Sequence, residues 1–252
     1  MFDMMLNCPL LRDHVAQGKV GFGINHEMRD FVNNKKKRLD LVICQPHASS
    51  KPQPKRSRIL KRPIATFADV AMHQKLPLTP AESADLARLP ELRIVPVGTV
   101  LVAIEAKAAM TEFSKAESRL FSELDSSITV INGHAQHAIA GALVMVNVAD
   151  EFVSPIKNLQ DFDTPPVFMS RHKNQPHPAI GVIETVRQVR RRTVDTDRGF
   201  DVLGILVVDL RNNGSPGVLV KSTPAPEPSD ALSYDQMVTR AAALYSRRFS
   251  TI

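Results

Sequence analysis

The sequence predicts an α/β domain built on a mixed central β-sheet flanked by helices. Two observations predict it. Apolar, β-branched runs recur at LDLVIC (39–44), VLVAIEAK (100–107), ALVMVNVA (142–149) and VLGILVVDL (202–210), and each reads as a buried strand. Segments with apolar residues at helical spacing lie between them. Strands and helices therefore alternate, as in a sheet covered by helices. No break in composition splits the chain, so residues 1–252 read as one domain. A core spans about 20–150, a basic insertion 45–98, and a C-terminal extension 151–252.

In chain order, residues 9–32 read as helical pieces broken by Gly18, Gly21 and Gly23. Ile24, Met28, Phe31 and Val32 recur there at helical spacing. After the charged turn NNKKKR comes the strand 39–44. Residues 45–65, rich in Pro, Ser, Lys and Arg without an apolar period, read as a basic loop. Thr79 and Glu82 form a capping box for a helix over 79–89. Strands follow at 92–97 and 99–106. Thr111 caps a helix to about Asp125, with Phe113, Ala116, Leu120, Phe121 and Leu124 as its apolar stripe. ITVI (128–131) reads as a short strand or extended link, and 142–149 as a buried strand. Pro178–Arg192 read as a helix with a cationic end, 202–210 and 218–222 as strands, and Tyr234–Phe249 as a C-terminal helix.

Composition narrows the function classes. The net charge is +6 and the pI about 9.5, a balance that favours a polyanionic partner. Two widely spaced cysteines, Cys8 and Cys44, make neither a disulfide framework nor a metal knuckle. The N-terminus lacks a secretory pattern, and the longest apolar run falls short of the roughly 20 residues that span a bilayer. These features predict a soluble cytoplasmic protein with no membrane partner.

The chemistry concentrates on two strands. By simple alternation, Val100, Val102, Ile104 and Ala106 share one face, and Leu101, Ala103, Glu105 and Lys107 the other. Leu39, Leu41 and Ile43 share a face, and Asp40 points away from them. If the strands are neighbours, Asp40, Glu105 and Lys107 converge at one sheet end. Two carboxylates repel unless a cation lies between them, and a hard ion such as Mg2+ prefers such oxygen ligands. A lysine beside them orients a water and offsets charge on a phosphate, which is what hydrolysis of a phosphodiester requires. A lone E-x-K is common on solvated helix faces. Here an apolar strand precedes it, a capped helix follows it, and a second apolar strand carries Asp40.

LDLVI and VLVAIEAK resemble the PD-(D/E)XK nuclease superfamily, the restriction-endonuclease-like fold, over roughly residues 20–150. The resemblance implies a core of helix, three strands, helix and fourth strand, with Asp40 on the second strand and Glu105-Ala106-Lys107 on the third. It implies Asp40 and Glu105 as Mg2+ ligands, with Mn2+ as a substitute, the Ala106 carbonyl as a backbone ligand, and Lys107 positioning the attacking water. It further implies Glu27, read as lying on the first core helix, as an additional metal ligand. A metal-dependent DNA endonuclease follows, acting in defence against foreign DNA as a restriction or effector nuclease, and assembled as a homodimer or higher homo-oligomer. The alternatives are a non-catalytic nucleic-acid-binding protein on the same fold and a nuclease of DNA repair or phage DNA processing.

The basic runs supply candidate contacts to double-stranded DNA. Lys55, Arg56, Arg58, Lys61 and Arg62 read as contacts to backbone phosphates. Aromatic residues are few and tryptophan is absent, which disfavours a stacking platform for single strands. The GHAQH segment, with His134, Gln136 and His137, reads as a hydrogen-bonded loop.

Overall fold

The computed structural model describes residues 1–48, 63–154, 157–158 and 167–252. Two short helices, α1 (Phe2–Asn7) and α2 (Pro9–Ala16), open the chain. Strands β1 (Gly21–Asp30) and β2 (Lys35–Pro46) follow, then helices α3 (Phe67–His73) and α4 (Pro80–Arg88). Next come β3 (Val97–Ala109), α5 (Phe113–His134) and β4 (Ile139–Asn147). The remainder comprises β5 (Glu151–Val153), β6 (Met169–Arg171), α6 (His177–Arg187), β7 (Val202–Asp209), β8 (Val218–Leu219) and α7 (Tyr234–Arg248).

Six strands form one mixed sheet in the order β1-β2-β3-β4-β7-β8. The first three make an antiparallel meander. β3, β4 and β7 run parallel, joined through α5 and then α6, and β8 closes the edge antiparallel to β7. The C-terminal hundred residues thus extend the central sheet. β5 and β6 form a separate small ladder.

Each face of the sheet has its own core. On one, Leu120, Leu124, Ile128 and Ile131 of α5 and Val182 and Val186 of α6 pack with Leu39, Val42, Ala103 and Val144. On the other, α1, α2 and α7 cover Phe22, Ile43, Leu101 and Val102, with Tyr245 of α7 wholly buried. Truncating any one of the fully buried leucines costs about 2–5 kcal/mol. Buried Asn147 ties the strand ends together. Its Nδ2 donates to the Leu210 carbonyl at 2.9 Å, and its Oδ1 accepts the N–H groups of Leu210 at 3.0 Å and Ala149 at 3.1 Å.

Several elements differ from the sequence reading. Residues 21–30 form a strand, not a helix, and Phe31 and Val32 stand exposed in the turn that follows. Residues 92–97 contribute only isolated bridges, from Arg93 to Thr66 and from Ile94 to Phe22, before β3 begins. ITVI (128–131) is the buried last part of α5, because Ile128, Val130 and Ile131 all find the core. α5 starts after Glu112, whose φ of 48° is left-handed, so Thr111 does not cap it, and Phe121 is exposed rather than part of the stripe. The Thr79–Glu82 capping box is present as expected. Among the described residues no helix is long and apolar enough to cross a membrane.

Candidate functional site

The site begins with a defect in the sheet. β1 and β2 pair in register from Gly21–Cys44 to Ile24–Leu41 and again from His26–Leu39 to Asp30–Lys35. Asn25 and Asp40 lie opposite each other between these two runs and do not pair. Asn25 has a left-handed φ of 53°, a conformation that asparagine tolerates better than most residues. The strand alternation changes phase there. Phe22 belongs to the α7-side core while Met28, an even number of residues later, belongs to the α5-side core. β2 changes phase at the same level, with Leu41 and Ile43 against one core and Leu39 in the other. The expectation that Leu39, Leu41 and Ile43 share a face is corrected accordingly. β3 also shifts register against β2 near Ile43 and Cys44, which sends Val100 and Ala103 to the α5-side core but Leu101 and Val102 to the other.

β2 leaves β3 at Asp40. Their pairing ends at Leu41–Ile104, whereas β3 stays paired with β4 through Ala109. Where a β2 carbonyl would continue the ladder, the Asp40 carboxylate takes over, and its Oδ2 accepts the Ala106 N–H at 2.7 Å. A charged acceptor makes this a strong bond. It holds Asp40 one peptide unit from Glu105.

Glu105 is 1% exposed. Burying a carboxylate is costly unless cations and donors surround it. Its Oε1 lies 2.6 Å from Lys107 Nζ and 3.4 Å from Lys37 Nζ, while its buried Oε2 has no hydrogen-bond partner. Lys107 also reaches Glu123 on α5 at 3.3 Å, and Lys37 donates to the Glu123 backbone carbonyl at 2.6 Å. Burial by itself would lower the Lys107 pKa. The hydrogen bond and charge of Glu105, then those of Glu123, outweigh it and hold the ammonium above its ordinary value. Lys107 is therefore a firm cation that donates hydrogen bonds and does not take up protons near neutrality.

The structure thus brings Asp40, Glu105 and Lys107 to adjoining strands and adds Lys37 and Glu123. Sequence reasoning missed both additions. Lys37 sits inside a lysine run that reads as solvated, and its cross-strand pairing with buried Met28 is what turns it toward α5. Glu123 follows Leu120 by one helical turn at the border of the apolar stripe, and that spacing was the available signal.

Glu27 is not brought to this site. It lies on β1 rather than on a helix, next in the strand to core-facing Met28 and hence on the other face. There it lies 3.8 Å from Lys36 and 3.9 Å from Arg38. The expected DNA contacts Lys55, Arg56, Arg58, Lys61 and Arg62 lie outside the described residues. Gly133 and His134 end α5, so only Ala135 to His137 of the GHAQH segment form the expected loop; the Gln136 carbonyl accepts from Arg192 Nη1 at 3.0 Å, and His134 Nδ1 lies 3.0 Å from the Arg29 carbonyl.

No protein-family model matches the chain, and no curated protein or solved structure matches it significantly.

The donor set suits a hard divalent cation. Asp40 and Glu105 offer oxygens from two neighbouring strands, the Ala106 carbonyl belongs to the residue between Glu105 and Lys107, and Glu105 Oε2 is a buried acceptor with nothing to accept. Among the described residues no group of three or more His, Cys, Asp or Glu gathers for a metal. Mg2+ does not need one, since it keeps several waters and binds through one or two carboxylates plus substrate phosphate.

Proposed function

We propose that the chain is a metal-dependent DNA endonuclease with a restriction-endonuclease-like core. The observation that carries this reading is the parting of β2 from β3 at Asp40. It sets that carboxylate against the Ala106 N–H, beside a buried Glu105 with an unused oxygen and a Lys107 ammonium. The antiparallel strands β1, β2 and β3, with α3 and α4 inserted between β2 and β3, followed by α5 and the parallel strand β4, support the same fold.

On this reading Asp40, Glu105 and the Ala106 carbonyl hold Mg2+ or Mn2+. When bound, the ion supplies an acidified water and neutralises charge on the scissile phosphate. Lys107 orients the water and offsets charge as the phosphodiester is attacked. Glu123 keeps Lys107 aligned, and Lys37 neutralises Glu105 until an ion arrives. The exposed basic hairpin of β1 and β2, with Lys35, Lys36 and Arg38, supports contact with duplex backbone phosphates. Cleavage of both strands calls for two such sites, hence a homodimer or larger homo-oligomer, and defence against foreign DNA is the role this activity fits best.

A second reading is a nucleic-acid-binding protein on this fold without catalysis. The observation that favours it is the commitment of Glu105 to two lysines. Supercoiled plasmid incubated with the protein and Mg2+, beside Asp40→Ala and Lys107→Ala, separates the two. Metal-dependent nicking or linearisation that both variants lose is expected. Shifted but uncut plasmid favours the binder, and equal cutting by the variants removes this site from the chemistry. Mapping the cut ends then separates restriction from repair or phage DNA processing.

A further inference from the structure

A cavity of about 280 Å3 lies between the second half of α7 and the α6–β7 connection, on the other face of the sheet from Glu105. Four arginines, Arg192, Arg240, Arg247 and Arg248, line it against two aspartates, Asp195 and Asp201. Positive charge is thus in excess within a concave space that is open to solvent.

Arg192 is the decisive residue. It is 3% exposed. Its Nη1 donates to the Gln136 carbonyl at 3.0 Å and its Nε to the Gly199 carbonyl at 3.3 Å, but its buried Nη2 has no partner. A buried guanidinium N–H left unpaired is costly. Asp201 does not relieve it. Its Oδ2 accepts the Ala140 N–H at 2.8 Å and lies 3.5 Å from Arg192 Nε, while its Oδ1 takes Arg248 at 2.7 Å. Asp195 is shared by Arg248 and Arg247 near the cavity rim. Arg240 makes no ion pair among the described residues. Burial disfavours the Arg192 charge, Asp201 restores part of it, and Arg248 opposes it again, so its pKa falls below the ordinary value. An anion in the cavity would offset the charge excess that buried Arg192 and its arginine neighbours create.

We infer that this cavity is a phosphate-binding site, taking the phosphate of a nucleotide-sized molecule or of a nucleic-acid backbone. Planar guanidinium forks match phosphate oxygens two at a time, which a cluster of arginines exploits better than lysines do. The site is separate from the Asp40–Glu105 constellation and does not depend on cleavage.

The test is calorimetric titration of the full chain with inorganic phosphate in metal-free buffer, against chloride at matched ionic strength. Arg240→Ala and Arg247→Ala are the informative variants. Both side chains are exposed, so the fold survives their loss, which circular dichroism verifies. Saturable phosphate binding that either variant weakens by about ten- to a hundredfold is expected. The inference is overturned if the wild type shows no saturable binding, or if neither variant weakens it. Parallel titrations with 5′-AMP and a short duplex identify the source. AMP binding that falls while duplex binding holds assigns a small molecule, and duplex binding that falls assigns the DNA backbone.

Discussion

The Asp40 carboxylate accepts the Ala106 N–H at 2.7 Å, at the point where β2 ceases to pair with β3. A side chain replaces a backbone carbonyl in the ladder, and it does so at the residue between Glu105 and Lys107. Structural and chemical roles of Asp40 are therefore separable by substitution.

Asp40→Asn keeps an oxygen for the Ala106 N–H but removes the charge. Thermal stability is expected to stay within about 1 kcal/mol of the parent. Mg2+-dependent cleavage is expected to drop by about a hundredfold or more, the loss of several kcal/mol of charge stabilisation. Parallel melting curves and plasmid assays check both halves, and an active Asp40→Asn protein would rule Asp40 out as an ion ligand.

Lys37 lies 3.4 Å from Glu105, so on the proposed reading it would compete with an incoming ion for that carboxylate. Lys37→Ala removes the 3.4 Å contact to Glu105 and the 2.6 Å bond to the Glu123 carbonyl. Stability is expected to fall by about 1–2 kcal/mol, while affinity for Mn2+ rises by about tenfold because one cation no longer opposes another. Titration of free Mn2+ by electron paramagnetic resonance reads the affinity directly. Weaker Mn2+ binding would instead make Lys37 part of the ligand scaffold.

Asn147 holds the ends of β4 and β7 from a fully buried position. Asn147→Ala strands the N–H groups of Leu210 and Ala149, at a cost of about 2–4 kcal/mol. Urea unfolding measures the loss, and a change below about 0.5 kcal/mol would mean that water takes over the clamp.

His14 makes stability depend on pH. It is buried, with Nδ1 3.0 Å from the Tyr245 hydroxyl. Burial, reinforced by Lys19 and opposed by Asp13, lowers its pKa from the ordinary 6.5. The folded value is thus below the unfolded one. Above 6.5 both states are neutral and the contribution is whole. As pH falls through that value the unfolded chain gains a proton that the native site resists, and stability drops until the folded pKa is reached. His26 shifts the same way, through burial and the neighbouring His134, with Glu27 opposing. The decrease in Tm between about pH 7.5 and about pH 5.5 is expected to shrink in His14→Gln. An identical decrease in both proteins would assign the dependence elsewhere.

Strands β3, β4 and β7 were legible because each is a continuous β-branched run bounded by polar residues, and α4 because Thr79 and Glu82 announce it. β1 was not, for a specific reason. Left-handed Asn25 reverses its alternation, so Ile24, Met28, Phe31 and Val32 mimic a helical period although only Met28 is buried. The same phase change moved Glu27 off the site. Ile128 to Ile131 carry strand propensity, yet helical packing into the core overrides it. Asp40, Glu105 and Lys107 were accessible from pattern because each ends or interrupts an apolar strand. Lys37 and Glu123 needed the third dimension, since their roles arise from α5 lying over the parted strands.

A rung made by two backbones opens only if the strands themselves move. The rung between Asp40 and Ala106 opens by rotation about two side-chain bonds. At this place the sheet therefore contains a link that can be handed to another partner and taken back while the neighbouring backbone links stay closed.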